Sequence, residues 1–303
     1  MFGHGFRRHV VGTAVTMAVI ALAACGSQSD QHGASSLTEV QGISLLAELD
    51  SRTGSVTLPY DRFVETTEEM EIMSAAAAAA ISLCAAAEGV EFVPPAPLTD
   101  PVYASELYFG PWTRSQAQQF AFVMPMTDAD LAANGITDAE ATPRVPSVTP
   151  NADLTDLEWA VVDDCGSAPE VMELNEALTQ VGPWVEPMRA VHSSLLQDAD
   201  ASDLLDRLGE CLEGAGLQVD SRQPWAPVGA NGREISEEQI RLALDVVECK
   251  NTLDFTQTMA AIEAGLQGAV IEEYVDELVA RRQTTDDALV LARSLLDQSD
   301  RTR

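Results

Sequence analysis

The chain has 303 residues, 48 acidic against 17 basic, and a formal net charge of −31. A surface this acidic repels phosphate backbones and anionic headgroups, which excludes nucleic-acid binding and peripheral membrane binding through a basic patch. The length and the 46% apolar share are enough to bury one sizeable core, and Lys250 is the only lysine.

Residues 1–24 read as a signal peptide, with Arg7 and Arg8 as its positive end and an apolar stretch from Val10 to Leu22 too short to span a bilayer. Leu22-Ala23-Ala24-Cys25 has the form of a lipobox, so Cys25 is expected to carry a diacylglycerol on its sulfur. The chain is then anchored to the lipid bilayer, at the extracytoplasmic face of the cell membrane, without spanning it. Removing the leader takes two arginines and no acid, leaving 15 basic against 48 acidic residues. Residues 25–50 are expected to be the lipidated cysteine and a flexible tether, because 26–36 are small and polar without apolar period. No later segment is expected to cross a membrane.

The folded part is expected over 51–303 and mainly α-helical. The mixed apolar spacing over 37–49 fits a short helix, and Val56-Thr57-Leu58 should be extended ahead of Pro59. The first strong helix follows Thr66, which forms a capping-box pattern with Glu69, runs through the alanines 75–80 to Cys84, and stops at Gly89. A proline-rich connector (94–101) leads to an aromatic segment, 103–112, and a short helix at 113–122. Residues 127–133 are expected to add one more turn or two, while 134–151 has three prolines and no period, long for a loop inside a domain. Thr155 and Glu158 cap a helix carrying Cys165; helices at 168–180, 184–198 and 202–213 follow. Residues 224–232 read as a loop and Ser236 as the next cap. The apolar stripe Phe255, Met259, Ile262, Leu266, Val270, Tyr274, Leu278 predicts one helix of roughly seven turns, and a last helix is expected from Thr284.

With Cys25 lipidated, Cys84, Cys165, Cys211 and Cys249 remain, an even number that fits two disulfides in an oxidising compartment, with three pairings open. Zinc fits poorly: no pair has C-x2-C spacing, and beyond the leader the only histidines are His32 and His192. Two segments repeat one form. Cys84 to Phe92 and Cys211 to Val219 both read cysteine, four residues, glycine, then alternating apolar residues. Val162-Asp163-Asp164-Cys165 and Val246-Val247-Glu248-Cys249 also match, which favours Cys84–Cys165 and Cys211–Cys249 within pseudo-repeats of about 56–200 and 201–303.

These features resemble a family of uncharacterised lipoproteins from high-GC Gram-positive bacteria. The resemblance rests on the lipobox and tether, on Leu58-Pro59-Tyr60-Asp61, on Cys84 to Phe92, and on Tyr108-Phe109-Gly110 with Gln116 to Phe120. It is fullest over Ile240 to Leu253, then at Ala261-Ile262-Glu263, Leu266-Gln267 and Ile271. Ala85 and Leu212 stand where the family has methionine, Gly209 where it has tryptophan, and Leu266 where it has an aromatic residue. The resemblance implies an accessory protein beside envelope or export components, and it supplies no catalytic residue.

No G-x-S-x-G, HExxH, phosphate-cradling loop or dinucleotide fingerprint occurs, and His192 sits where a helix surface is expected. Asp163-Asp164 is an adjacency expected among so many acids. Asp198-x-Asp200 begins like a calcium loop but lacks the sixth-position glycine and the closing glutamate, so a linker ending in a helix cap is the better reading. Tyr103, Tyr108 and Trp112 are the candidate contact surface, together with the last helices and 134–151. The expected function is a non-enzymatic interaction or accessory module of a cell-envelope complex, without metal or cofactor. The alternative is a small-ligand or cation (calcium) binding module at the cell surface.

Overall fold

The computed structural model describes residues 38–94, 108–124, 151–179, 181–220 and 223–302. The leader, Cys25, Tyr103, the connector 95–101 and most of 127–151 lie outside the described residues.

The folded chain opens with strands where a helix was the expectation. β1 (Glu39–Val40) and β2 (Ile43–Ser44) pair antiparallel across Gln41 and Gly42, whose φ values of 48° and 79° build the left-handed two-residue turn that hairpin twist requires. β3 (Glu48–Asp50) then pairs with β4 (Ser55–Thr57). Ordered structure therefore takes in 38–50, a stretch expected to be tether. Leu45 is its buried anchor, packed with Phe63, Trp184, Ile271 and Leu278. A 3-10 turn, Pro59–Arg62, leads into the helices.

Nine helices follow among the described residues, and the fold is mainly α, as expected. Helix α1 (Thr67–Ala87) starts at the Thr66–Glu69 capping box: the Glu69 N–H donates to Thr66 Oγ1 at 3.2 Å and the Thr66 N–H to Glu69 Oε2 at 2.8 Å. By length and composition the stretch Pro59–Ala87 is apolar enough to cross a membrane, with a mean hydropathy of 1.7, against the expectation for segments after the leader. Here its alanines face other helices. Ala76, Ala77 and Ala80 lie against Val171, Leu174 and Ala177 of α4 (Pro169–Ala177) and Ala288, Leu289 and Ala292 of α9 (Val275–Thr302). Alanine supplies both helix propensity and a flat face that lets backbones approach closely.

Helices α2 (Arg114–Phe120), α3 (Asp156–Gly166), α5 (Val185–Leu195) and α6 (Ala199–Gly214) complete the first part of the chain. β5 (Val219–Asp220) and β6 (Gln223–Pro227) form a hairpin where 224–232 was expected to be loop throughout. Helix α7 (Glu237–Thr252) begins at the predicted Ser236 cap and is followed by α8 (Phe255–Glu273).

The expected seven-turn helix starts where its stripe does, at Phe255, and is broken near its other end. Asp254 stands at φ 49° between α7 and α8, and Tyr274, at φ −119°, separates α8 from α9. The stripe spacing survives the break at Tyr274 because Tyr274 N–H still bonds the Val270 carbonyl and Leu278 N–H the Tyr274 carbonyl. Spacing alone therefore could not show it. Nor does Thr284 start a helix. It lies inside α9 with its hydroxyl on the Ala280 carbonyl, the back-bond that a mid-helix threonine makes in place of a cap.

Both sulfur pairs join as the repeat predicts: Cys84–Cys165 and Cys211–Cys249 are disulfides, each with Cα atoms 5.8 Å apart and closing separations of 81 and 38 residues. The helix ends that carry the first cysteine of each pair are the same motif. Gly89 and Gly216 have φ of 84° and 82°, Val90 N–H reaches back to the Ala85 carbonyl, and Leu217 N–H to the Leu212 carbonyl. That left-handed glycine closing a 6→1 bond is the Schellman ending. Both bridges lie within one compact unit, Gly33–Arg303.

Candidate functional site

The strongest polar construction in the fold surrounds Lys250, near the end of α7 and next to Cys249. It is 1% exposed, and its Nζ donates to the carbonyls of Tyr108, Phe109 and Gly110 at 2.7, 2.9 and 2.9 Å. Three acceptors match the three protons of an ammonium. They converge because the chain turns over: Phe109 has φ 65° and Gly110 φ 91°. An aromatic residue in the left-handed region is a strained conformation, held here by its surroundings. The Phe109 ring stacks on Trp225 at 4.4 Å between centroids, and the Lys250 charge lies 5.6 Å from the Phe255 ring.

Tyr108 joins this anchor to α8. Its hydroxyl donates to Glu263 Oε2 at 2.6 Å, both side chains being buried. Burial raises the Glu263 carboxyl above its ordinary range, a rise that the Tyr108 hydrogen bond opposes. The phenol is pushed up as well, first by burial and then by the Glu263 charge beside it. One turn on, Gln267 accepts the Tyr60 N–H at 2.9 Å, and the Tyr60 hydroxyl accepts the Trp184 indole N–H at 3.2 Å. Two ion pairs tie α9 to the entry of α1: Arg281 to Glu65 at 2.9 Å, both buried, and Arg282 to Glu69. The guanidinium of Arg282 holds the Glu69 carboxyl down at about 2.

A cleft of about 280 Å³ opens beside Lys250, lined among others by Trp112, Asn251, Asp254, Thr256 and Gln257. Trp112 is fixed in the wall by its indole N–H on the Gly54 carbonyl at 2.7 Å. Gly54 is required there: it has φ 75°, and a Cβ would lie 2.0 Å from the Gln116 amide nitrogen.

This geometry corrects the expected contact surface at two of its three positions. Tyr108 is 1% and Trp112 9% exposed, because the polar atoms of both are committed to partners inside the fold. Tyr103 lies outside the described residues. Of the other tryptophans, Trp184 is buried, Trp225 half-buried, and Trp159 exposed with an edge-on contact to Phe92. His192 is exposed on α5, and Asp198 caps α6 through bonds from the N–H groups of Asp200 and Ala201. Among the described residues, no three His, Cys, Asp or Glu side chains gather to hold a metal. The sequence marks Lys250 only as the lone lysine and Glu263 only within the family resemblance, neither as part of a site. The one available signal was a lone lysine, in an acidic chain, next to a bridging cysteine.

Comparison with protein-family models, with curated proteins and with solved structures gave no match. The class defined here is a disulfide-stapled helical domain with an internal lysine anchor.

Proposed function

We propose that this chain is a membrane-anchored extracytoplasmic lipoprotein, a non-enzymatic interaction or accessory module of a cell-envelope complex. The observation that carries the reading is the pair of disulfides, Cys84–Cys165 and Cys211–Cys249, in a chain whose fifth cysteine stands in a lipobox. Structural disulfides belong to oxidising compartments, and Cys25 gives the exported chain a point of lipid attachment. The role is positional. Lipid holds the chain at the outer leaflet, and a domain closed by two long-range bridges presents a surface that does not reshape itself. The family resemblance to accessory lipoproteins supports the same reading.

The test is fractionation of the native host with Cys25→Ser beside the wild type, followed by crosslinking in intact membranes. The wild type is expected to incorporate labelled palmitate, to enter the membrane fraction, and to crosslink into a larger species; Cys25→Ser is expected to lose all three. A wild-type chain found free of lipid, or a Cys25→Ser chain that stays membrane-bound, would overturn anchoring. A lipidated chain that stays monomeric after crosslinking would overturn the accessory role.

A further inference from the structure

Glu263 is a buried acid without a counter-cation. It sits in the middle of α8, 7% exposed, and among the described residues its carboxylate makes no ion pair and accepts one hydrogen bond, from the Tyr108 hydroxyl at 2.6 Å. The elements packed on α8 do not supply the missing charge. The 3-10 turn brings Asp61, whose carboxylate repels a second one, while Arg62 of that turn is paired with Glu48. Helix α5 brings His192, exposed, whose attraction is smaller than the cost of burial. The ammonium of Lys250 on α7 is directed to the carbonyls of 108–110, Arg281 of α9 is committed to Glu65, and the acids and the one arginine of α6 are exposed. Ionising Glu263 therefore places an uncompensated charge inside the fold, a cost that its neutral form does not carry.

That charge touches a segment already under strain. Residues 108–110 turn over through Phe109 at φ 65°, and they are held down by Lys250, by the Phe109 ring on Trp225 and by the phenol on Glu263. Lifting the segment would break the phenol bond and admit water to the carboxyl. An ionised Glu263 gains hydration by that opening. A protonated one gains little, since a neutral carboxyl and a phenol satisfy each other in the closed state.

We infer that residues 108–110 form an acid-tightened latch: protonated Glu263 holds the segment closed over Lys250, and ionised Glu263 loosens it. Burial raises the folded-state carboxyl above its ordinary value of 4.5. The stabilisation from its neutral form is therefore complete below that value and is lost as pH rises through the raised folded value. Over that interval the open population climbs by at most about tenfold per pH unit, because one proton is released. The latch belongs to the folded domain alone, so its failure would leave the anchoring proposal untouched.

Lys250, the only lysine, reports the latch directly, because its nitrogen is covered while 108–110 is closed. Reductive methylation of the full chain in detergent is followed at pH 5 and pH 8, with the Lys250 peptide quantified by mass. At pH 8 the wild type is expected to be methylated at least about threefold faster than Glu263→Gln, a neutral mimic of the protonated acid, and the ratio is expected to shrink at pH 5. Glu173→Gln, which removes an exposed charge on α4, should follow the wild type at both. In differential scanning calorimetry Glu263→Gln should melt above wild type at pH 8 and draw level at pH 5. Equal methylation of wild type and Glu263→Gln at pH 8, or a ratio unchanged at pH 5, overturns the inference. So does a Lys250 that is never methylated, a Glu173→Gln chain that behaves as Glu263→Gln does, or a Glu263→Gln chain that melts below wild type at pH 8.

Discussion

The two disulfides close the same kind of helix end in very different surroundings. Cys84–Cys165 sits in a small satellite cluster, with Ala85, Val90 and Val162 as its buried neighbours. Cys211–Cys249 belongs to a far larger core that includes Leu204, Leu208, Leu212, Val246, Phe255 and Met259, and the residue after Cys249 is the lysine that holds 108–110. A crosslink in the chain-entropy model contributes roughly 4 kcal/mol at either separation. What differs is what remains when it is cut. Packing on β6, α7 and α8 continues to hold α6, whereas α3 packs chiefly on the one helix that its bridge already joins, α1. The same covalent device is one tie among several for α6 and, beside the face it shares with α1, the main tie for α3.

The largest effect is expected from breaking the anchor beside the second bridge. Lys250→Met keeps the aliphatic stem and strands three carbonyls, that of Tyr108 buried and those of Phe109 and Gly110 half-buried, at a cost of about 1–3 kcal/mol for each that water cannot reach. The melting temperature should fall by roughly 10 °C or more, at 2–4 °C per kcal/mol for a domain of this size. A fall of under about 3 °C in differential scanning calorimetry would show that the three contacts contribute little.

Next come the bridges, removed in pairs. Cys84→Ala with Cys165→Ala should strip amide-exchange protection from α3 and from the last turn of α1, with roughly 4 kcal/mol lost. Cys211→Ala with Cys249→Ala should lower overall stability and leave α6 and α7 protected until global unfolding. Equal local loss in both variants would remove the distinction drawn between the two halves.

A smaller, pH-dependent effect belongs to Glu69. Its carboxyl is depressed in the folded state by Arg282, so its stabilisation is present above the unfolded value near 4.5 and is lost as pH falls toward about 2. Both side chains are partly solvated, and screening keeps the contribution to a degree or two of melting temperature. Glu69→Gln should therefore melt slightly below wild type at pH 6 and level with it at pH 2. A difference that persists unchanged at pH 2 would assign the effect to the Thr66 cap instead.

Much of this contrast was legible in the chain and its most consequential part was not. The Thr66, Thr155 and Ser236 caps, the glycine endings after Cys84 and Cys211, and the sulfur pairing are local patterns, or two copies of one pattern, and each formed as the residues predict. The break at Tyr274 has no local signal, since the apolar spacing runs through it undisturbed. The hairpin at 38–44 was hidden because Gln41-Gly42 is a turn in a stretch without strong strand alternation. Lys250 and Tyr108 are 142 positions apart, and nothing in the spacing of either segment announces the other. A buried cation is specified by its acceptors, and these are backbone carbonyls, which every sequence has.

The most direct test is a map of the four sulfurs in the chain isolated from its native host: alkylate free thiols without reduction, digest, and identify crosslinked peptides by mass. Two linked species, Cys84 with Cys165 and Cys211 with Cys249, and no alkylated cysteine among the four, are the predicted result. Alkylation at any of the four, or a peptide joining a cysteine of one pair to a cysteine of the other, would contradict the account.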